Sequence, residues 1–241
     1  GGVFCYRSDC VIEYNRIHDN YGAYGGGVYC FGGGTVRFNE IVGNEAGQGG
    51  GICCGNDGTV EVHHNLITEN LAHNGGGVAC PDAGANLINN TIIYNTAYNI
   101  GGGIATGSNV DLTPPSTVRN CILWGNTASE GAQVATDSAD AHITIQYTCL
   151  PMSAEDVYVK GGSTVELGTG TMDDDPLFAS PMWYWPALDA RLKSEAGRWF
   201  QEGGHWVLDS ISSPCIDAGD PASDFSAEPV PNGGRINMGA Y

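Results

Sequence analysis

Glu13, Arg37, His63 and His64 have the strongest claim to proton chemistry in this chain. An arginine that neutralises the carboxylate of an acidic sugar, beside a histidine acting as base, is what proton abstraction from a polyuronate needs. Glu13 and Arg37 are 24 residues apart, and Arg37 and His63 are 26 apart. Only a fold that stacks distant segments on one another brings such residues together. The plainer reading is that these are outward strand positions, polar because they meet water. A second candidate is "TMDDDPLF", whose Asp173, Asp174 and Asp175 supply carboxylates. A glycosidase pairs two such groups about 5 to 9.5 Å apart, and calcium takes them as oxygen ligands. Adjacent carboxylates before a proline also make turns, so Asp175, like Asp217, is read as a turn-former with Ca2+ as the alternative. A third is the cluster Trp183, Trp185, Trp199 and Trp206, which holds four of the five tryptophans. Their faces suit sugar rings, but the simpler expectation is that they pack a cap.

Composition removes several function classes. Asp plus Glu number 27 against 9 for Lys plus Arg, a formal charge of -18. A chain so acidic has no basic surface to neutralise phosphates, which disfavours nucleic acid and anionic lipid. No apolar run is long enough to span a bilayer, and no GxSxG, HExxH or phosphate-loop motif is present. The chain opens on "GGVFC" and closes on "GAY", without initiator Met or signal-peptide pattern, and reads as a piece of a longer polypeptide.

The elements that must position the candidates are repeated. Glycine runs begin at Gly25, Gly49, Gly75 and Gly101, and the segments "YNRIHDN", "FNEIVGN", "HNLITEN", "NNTIIYN" and "NCILWGN" recur between them. In register they give columns: Asn15, Asn39, Asn65, Asn90 and Cys121; Ile17, Ile41, Ile67, Ile92 and Leu123; Asn20, Asn44, Asn70, Asn95 and Asn126. Two more columns follow the glycines: Val3, Val28, Ile52, Val78 and Ile104, then Cys5, Cys30, Cys54, Cys80 and Thr106. Short stretches of alternating apolar residues between Gly and Asn corners read as strands. A unit of about 25 residues with no helix-length stripe specifies one rung of a parallel β-helix. Inward Ile and Val stack into a core, Asn ladders link rungs, and Gly and Asn take the left-handed corners.

Residues 1–146 resemble right-handed parallel β-helix repeats of secreted bacterial proteins, the pectate-lyase-like superfold. "NCILWGNTA", "DPLF", "SPCIDAGDP" and "GGRINMGAY" resemble the closing segments of large surface β-helix proteins of planctomycete-like bacteria. The resemblance implies an all-β, right-handed parallel β-helix and a secreted or cell-surface location, and says little about chemistry. In such proteins Asp-Pro-Leu-Phe and Ile-Asp-Ala-Gly are structural punctuation. Residues 147–241 are expected to form irregular last rungs and a Trp-rich segment folded over the side or end of the helix, within the same domain.

Cys5, Cys30, Cys54 and Cys80 share one column and are expected to form a ladder of buried thiols. Parallel strands hold them about 4.8 Å apart, beyond the mean Cβ separation of about 3.8 Å of a disulfide. Cys149 and Cys215 lie outside the regular repeat, and pairing between them in an oxidising compartment is left open. The functional expectation is a structural or carbohydrate-binding module with polysaccharide as partner. The alternatives are a polysaccharide-active lyase, epimerase or hydrolase at Glu13, Arg37, His63 and His64, or a surface component that associates with itself or with the rest of a longer chain.

Overall fold

The computed structural model describes every residue except 8–9, 57, 108–114, 181–187, 201–202, 227, 229–232 and 241. The described chain is all β, a parallel solenoid with four faces. Sheet 1 stacks Val3–Tyr6, Val28–Phe31, Ile52–Gly55, Val78–Cys80, Ile104–Thr106, Val134–Thr136 and Val157–Val159. Sheet 2 also has seven strands: Val11–Glu13, Gly34–Arg37, Thr59–His63, Gly84–Ile88, Ser116–Arg119, His142–Gln146 and Thr164–Leu167. Sheet 3 runs from Arg16–His18 through Glu40–Val42, Leu66–Thr68 and Thr91–Ile93 to Ile122–Trp124. Sheet 4 holds Tyr21–Tyr24, Glu45–Gln48, Leu71–Asn74 and Thr96–Ile100. The repeat columns are the strand registers: Ile17 pairs with Ile41, Ile41 with Ile67, Ile67 with Ile92 and Ile92 with Leu123.

The inward side chains make one continuous core, with Ile41, Ile52, Ile67, Ile92, Ile104 and Leu123 fully buried. Each such side chain is stabilised by roughly 1.5–3 kcal/mol on leaving water. Two asparagine ladders run through that interior. In the first, Asn65 Oδ1 accepts from both the backbone N and Nδ2 of Asn39, each at 3.0 Å. Asn39 Nδ2 also donates to the carbonyls of Ile12 and Arg37. The second repeats this through Asn44, Asn70, Asn95 and Asn126. Where the first ladder meets Cys121, the Asn90 N–H donates to its Sγ at 3.3 Å.

The left-handed residues are not those asparagines. Tyr14, Phe38, His64 and Asn89 each stand immediately before a ladder Asn, and Asn120 before Cys121, with φ from 52° to 57°. Bending the chain one residue early turns the Asn side chain into the rung, where its bonds offset a strain of about 1–2 kcal/mol at a bulky residue. The glycine corners have a different cause. Gly49 has φ +64°, and a Cβ on Gly50 would lie 2.5 Å from the Leu71 carbonyl oxygen.

Described residues from Phe178 onward fold back along the side of the solenoid, over sheet 3. Phe178, Leu188, Leu192, Cys215 and Met238 bury Leu66, Ile93 and Ile122. The edge of this wrap is sewn to the corner column. Asn89 Nδ2 donates to the Asn237 carbonyl at 3.1 Å, Gly239 N–H to the Asn120 carbonyl at 2.8 Å, and Asp220 N–H to Asn120 Oδ1 at 2.7 Å.

One cysteine departs from the expected ladder. Cys30, Cys54 and Cys80 are buried free thiols, but Cys5 is bridged to Cys10. Cys5 lies on the first described rung, and Cys10, just before the next strand, is 6.0 Å away between Cα atoms, within bridging reach.

Candidate functional site

The register brings the sheet 2 candidates into line: Glu13 pairs with Arg37, and Arg37 with His63. Arg37 Nη2 and Nε both reach Glu13 Oε2, at 2.6 and 2.7 Å. The guanidinium is therefore already neutralised by a partner on the neighbouring rung. His63 Nδ1 lies 3.1 Å from His64 Nδ1, so at most one of these nitrogens carries a proton in that contact. Burial, then the Arg37 charge, holds the His63 pKa below its ordinary value, against the pull of Glu61. Burial, then His63, brings His64 down to about 4. Both rings are neutral at pH 7, the state of a base. His64 also closes a stack of corner rings, with Phe38 5.0 Å away and Tyr14 5.1 Å beyond it.

Asp173, Asp174 and Asp175 are exposed and do not converge. Asp175 Oδ1 accepts from the Leu177 N–H at 2.9 Å and so closes a turn. Among the described residues no group of three His, Cys, Asp or Glu is arranged to hold a metal ion. Trp183 and Trp185 lie outside the described residues. Trp199 and Trp206 face each other across the antiparallel hairpin Arg198–Phe200/His205–Val207, with centroids 5.9 Å apart. They are 45 % and 59 % exposed, so they do not pack a cap; aliphatic side chains and Phe178 cover sheet 3 instead. Arg198, held by Asp209 at 2.9 Å and Asp189 at 3.4 Å, pins the base of the hairpin.

Sheet 1 carries a surface that the repeat columns did not single out. Its outward positions alternate with the Val and Cys columns: Phe4 pairs with Tyr29, and Tyr6 with Phe31. These rings lie within 6.2 Å of one another, and Tyr24 from sheet 4 joins Tyr29 at 5.6 Å. Phe4, Tyr6 and Tyr24 are 61 %, 57 % and 52 % exposed. The Arg7 guanidinium lies 5.1 Å from the Tyr6 ring centre. Along the same column the side chains then shrink: Cys53, Ala79, Ala105 and Ala135 follow Tyr29 in register, before Tyr158. The result is an aromatic shelf opening onto a low floor that extends about 14 Å at roughly 4.8 Å per rung. Gln48, Asn74 and Ile100 flank one side of that floor, Pro81 and Asp137 the other, around a cavity of about 130 Å³. Asn99 Nδ2 donates to Asn74 Oδ1 at 2.8 Å, which orders the amide side of the floor. The signal was present in the sequence: aromatic residues at alternate positions, on the opposite strand face from the core.

Residues 1–67 match a family model described as "Right handed beta helix region". Residues 37–219 match one described as "Disaggregatase related". No curated protein and no solved structure matches the chain. The second match covers most of the chain and the first agrees with the solenoid and its parallel sheets, so the chain is a right-handed β-helix protein that belongs to the disaggregatase-related family.

Proposed function

We propose that the chain is a secreted or cell-surface module that binds polysaccharide along the outer face of sheet 1. The observation that carries this reading is the aromatic shelf of Phe4, Tyr6, Tyr24, Tyr29 and Phe31, continuous with a floor of Cys53, Ala79 and Ala105. Aromatic faces hold the C–H faces of pyranose rings, and the amides of Gln48 and Asn74 suit their hydroxyls. The rings of Phe4, Tyr6 and Tyr24, left open to water beside the buried floor side chains, mark an interaction site. The family description, "Disaggregatase related", accords with a matrix polymer as ligand.

Retardation of the protein in native gels loaded with a panel of polysaccharides tests the reading. Wild type is retarded by at least one polymer, and Tyr6→Ala and Phe31→Ala each weaken that affinity by up to roughly tenfold. Migration unchanged by every polymer sinks it. A second reading is lyase chemistry on sheet 2, favoured by a neutral His63 beside Arg37. It requires unsaturated products from an acidic polymer, and turnover lost in His63→Ala while the solenoid stays folded. Binding without product leaves sheet 2 as a polar wall.

A further inference from the structure

We propose that Cys149 and Cys215 are a disulfide-forming pair, closed by a small-molecule disulfide oxidant, that staples the wrap to the solenoid. Cys149 belongs to the solenoid. It bridges Ile122 on one side and Met172 on the other, at the foot of the outward column that runs through Leu66, Thr91 and Ile122. Cys215 belongs to the wrap, where its carbonyl accepts from Met238 N–H at 3.0 Å and its own N–H donates to Ser213 Oγ at 3.1 Å. The two thiols are neighbours inside one apolar cluster, both are fully buried, and the Cys149 thiol donates to the Asp174 carbonyl at 3.1 Å.

Two thiols in contact on separate elements differ from the thiols of the sheet 1 column. Cys54 and Cys80 also touch, but both belong to adjacent strands whose hydrogen bonds keep them about 4.8 Å apart, wider than a bridge prefers. Cys215 is bound by no strand ladder to Cys149, so no interstrand spacing holds the two sulfurs apart. In the reaction one thiolate attacks the oxidant's S–S bond and releases one thiol. The second thiolate then displaces the other half of the oxidant. The two cysteines together lose two protons and two electrons, and the oxidant leaves as two thiols. The neighbouring Cys215 thiol, then burial, raise the pKa of the Cys149 thiol, which disfavours the thiolate, so the exchange takes place while the wrap is closing rather than afterwards.

The test is a thiol count. The chain is folded in a glutathione redox buffer, then unfolded in guanidinium with iodoacetamide present, and its intact mass is measured. Seven cysteines are free in the reduced molecule beside the Cys5–Cys10 bridge. The staple leaves 7 − 2 = 5 to be alkylated, with a cross-linked peptide joining Cys149 to Cys215. Seven alkylated cysteines overturn the proposal, and so does a cross-link between Cys54 and Cys80. Limited proteolysis of the wild type supplies an independent reading. Reductant speeds release of the wrap by roughly tenfold or more if the staple holds it, and an unchanged rate overturns that role.

Discussion

The outer face of sheet 3 carries Arg16, His18, Glu40 and Val42 on its first two strands and Leu66, Thr68, Thr91, Ile93, Ile122 and Trp124 on the next three. The inner face does not change along the way; it is Ile, Ile, Ile, Ile and Leu. Strand geometry and register are the same in both regions, so the difference comes from what lies outside. The first strands meet water, with Arg16 Nε 4.0 Å from Glu40 Oε2. The later ones meet the wrap, and there the outward side chains become a second core. The corner column divides in the same way. Tyr14, Phe38 and His64 stack on one another, whereas Asn89 and Asn120 bond to the wrap. A repeat therefore records the inside of the solenoid, and deviations on its outer positions record each neighbour it acquires.

The largest effect is expected from Ile122→Asp. A carboxylate with no partner between sheet 3 and the wrap costs about 3–5 kcal/mol, seen as a lower denaturation midpoint and early proteolytic release of the wrap. Loss no greater than that of an Arg16 substitution would break the comparison. Next comes Asn65→Ala, which strips two donors of Asn39 of their acceptor, removes the Nδ2 donor from the Val36 and His63 carbonyls, and leaves Asn90 Oδ1 only the backbone N–H of residue 65. It should cost about 3 kcal/mol in chemical denaturation, against about 1 kcal/mol or less for Asn15→Ala on the exposed first rung.

Acid sharpens the contrast at the corner column. The His64 pKa is depressed to about 4 in the folded chain, against about 6.5 unfolded. The unfolded state then binds more protons between those values, so stability is full above pH of about 6.5 and falls as pH drops towards about 4. His64 faces His63, which in turn meets the charges of Arg37 and Glu61, and stacks on Phe38. After solvent screening the loss is about 1–2 kcal/mol. His64→Asn, which tolerates the left-handed corner, should flatten that part of the pH–stability curve; an unchanged slope refutes the assignment. Arg16→Ala is expected to be the mildest change, within about 0.5 kcal/mol.

The fold was legible because each rung repeats the same physical solution. Ile41 needs a like residue above and below, and Asn65 needs an asparagine on the next rung, so both leave columns. Cys5 shows where that logic stops. It stands in a column of thiols, yet its partner, Cys10, stands just before the next strand, at a position that no column encodes. The aromatic shelf was less visible because Phe4, Tyr6, Tyr29 and Phe31 occupy two rungs only, and the column then changes to Cys and Ala. Glu13, Arg37 and His63 were placed in line by counting residues, but the Glu13 carboxylate that occupies the guanidinium is a matter of side-chain geometry. The exposure of Trp199 and Trp206 depended on the path of the wrap, which no periodicity describes.

The two asparagine ladders have a consequence for how such a chain changes length. They stand five residues apart on every rung: 15 and 20, 39 and 44, 65 and 70, 90 and 95, 121 and 126. The last inward residue of sheet 2 always lies three before the first of them, as in Val36 and Asn39 or Leu87 and Asn90. From sheet 1 to sheet 2 the count is free. Cys30 to Val36 is 6 residues, Cys54 to Val62 is 8, Cys80 to Leu87 is 7 and Thr106 to Val118 is 12. Two edges of the prism are held by rails that admit no insertion without breaking buried amide bonds, and the third, between sheets 4 and 1, takes one extra residue as a register shift in Thr96–Ile100. The fourth edge, beside the low floor of sheet 1, is where added residues do no harm, so diversification of this architecture is channelled to the rim of its most exposed aromatic surface.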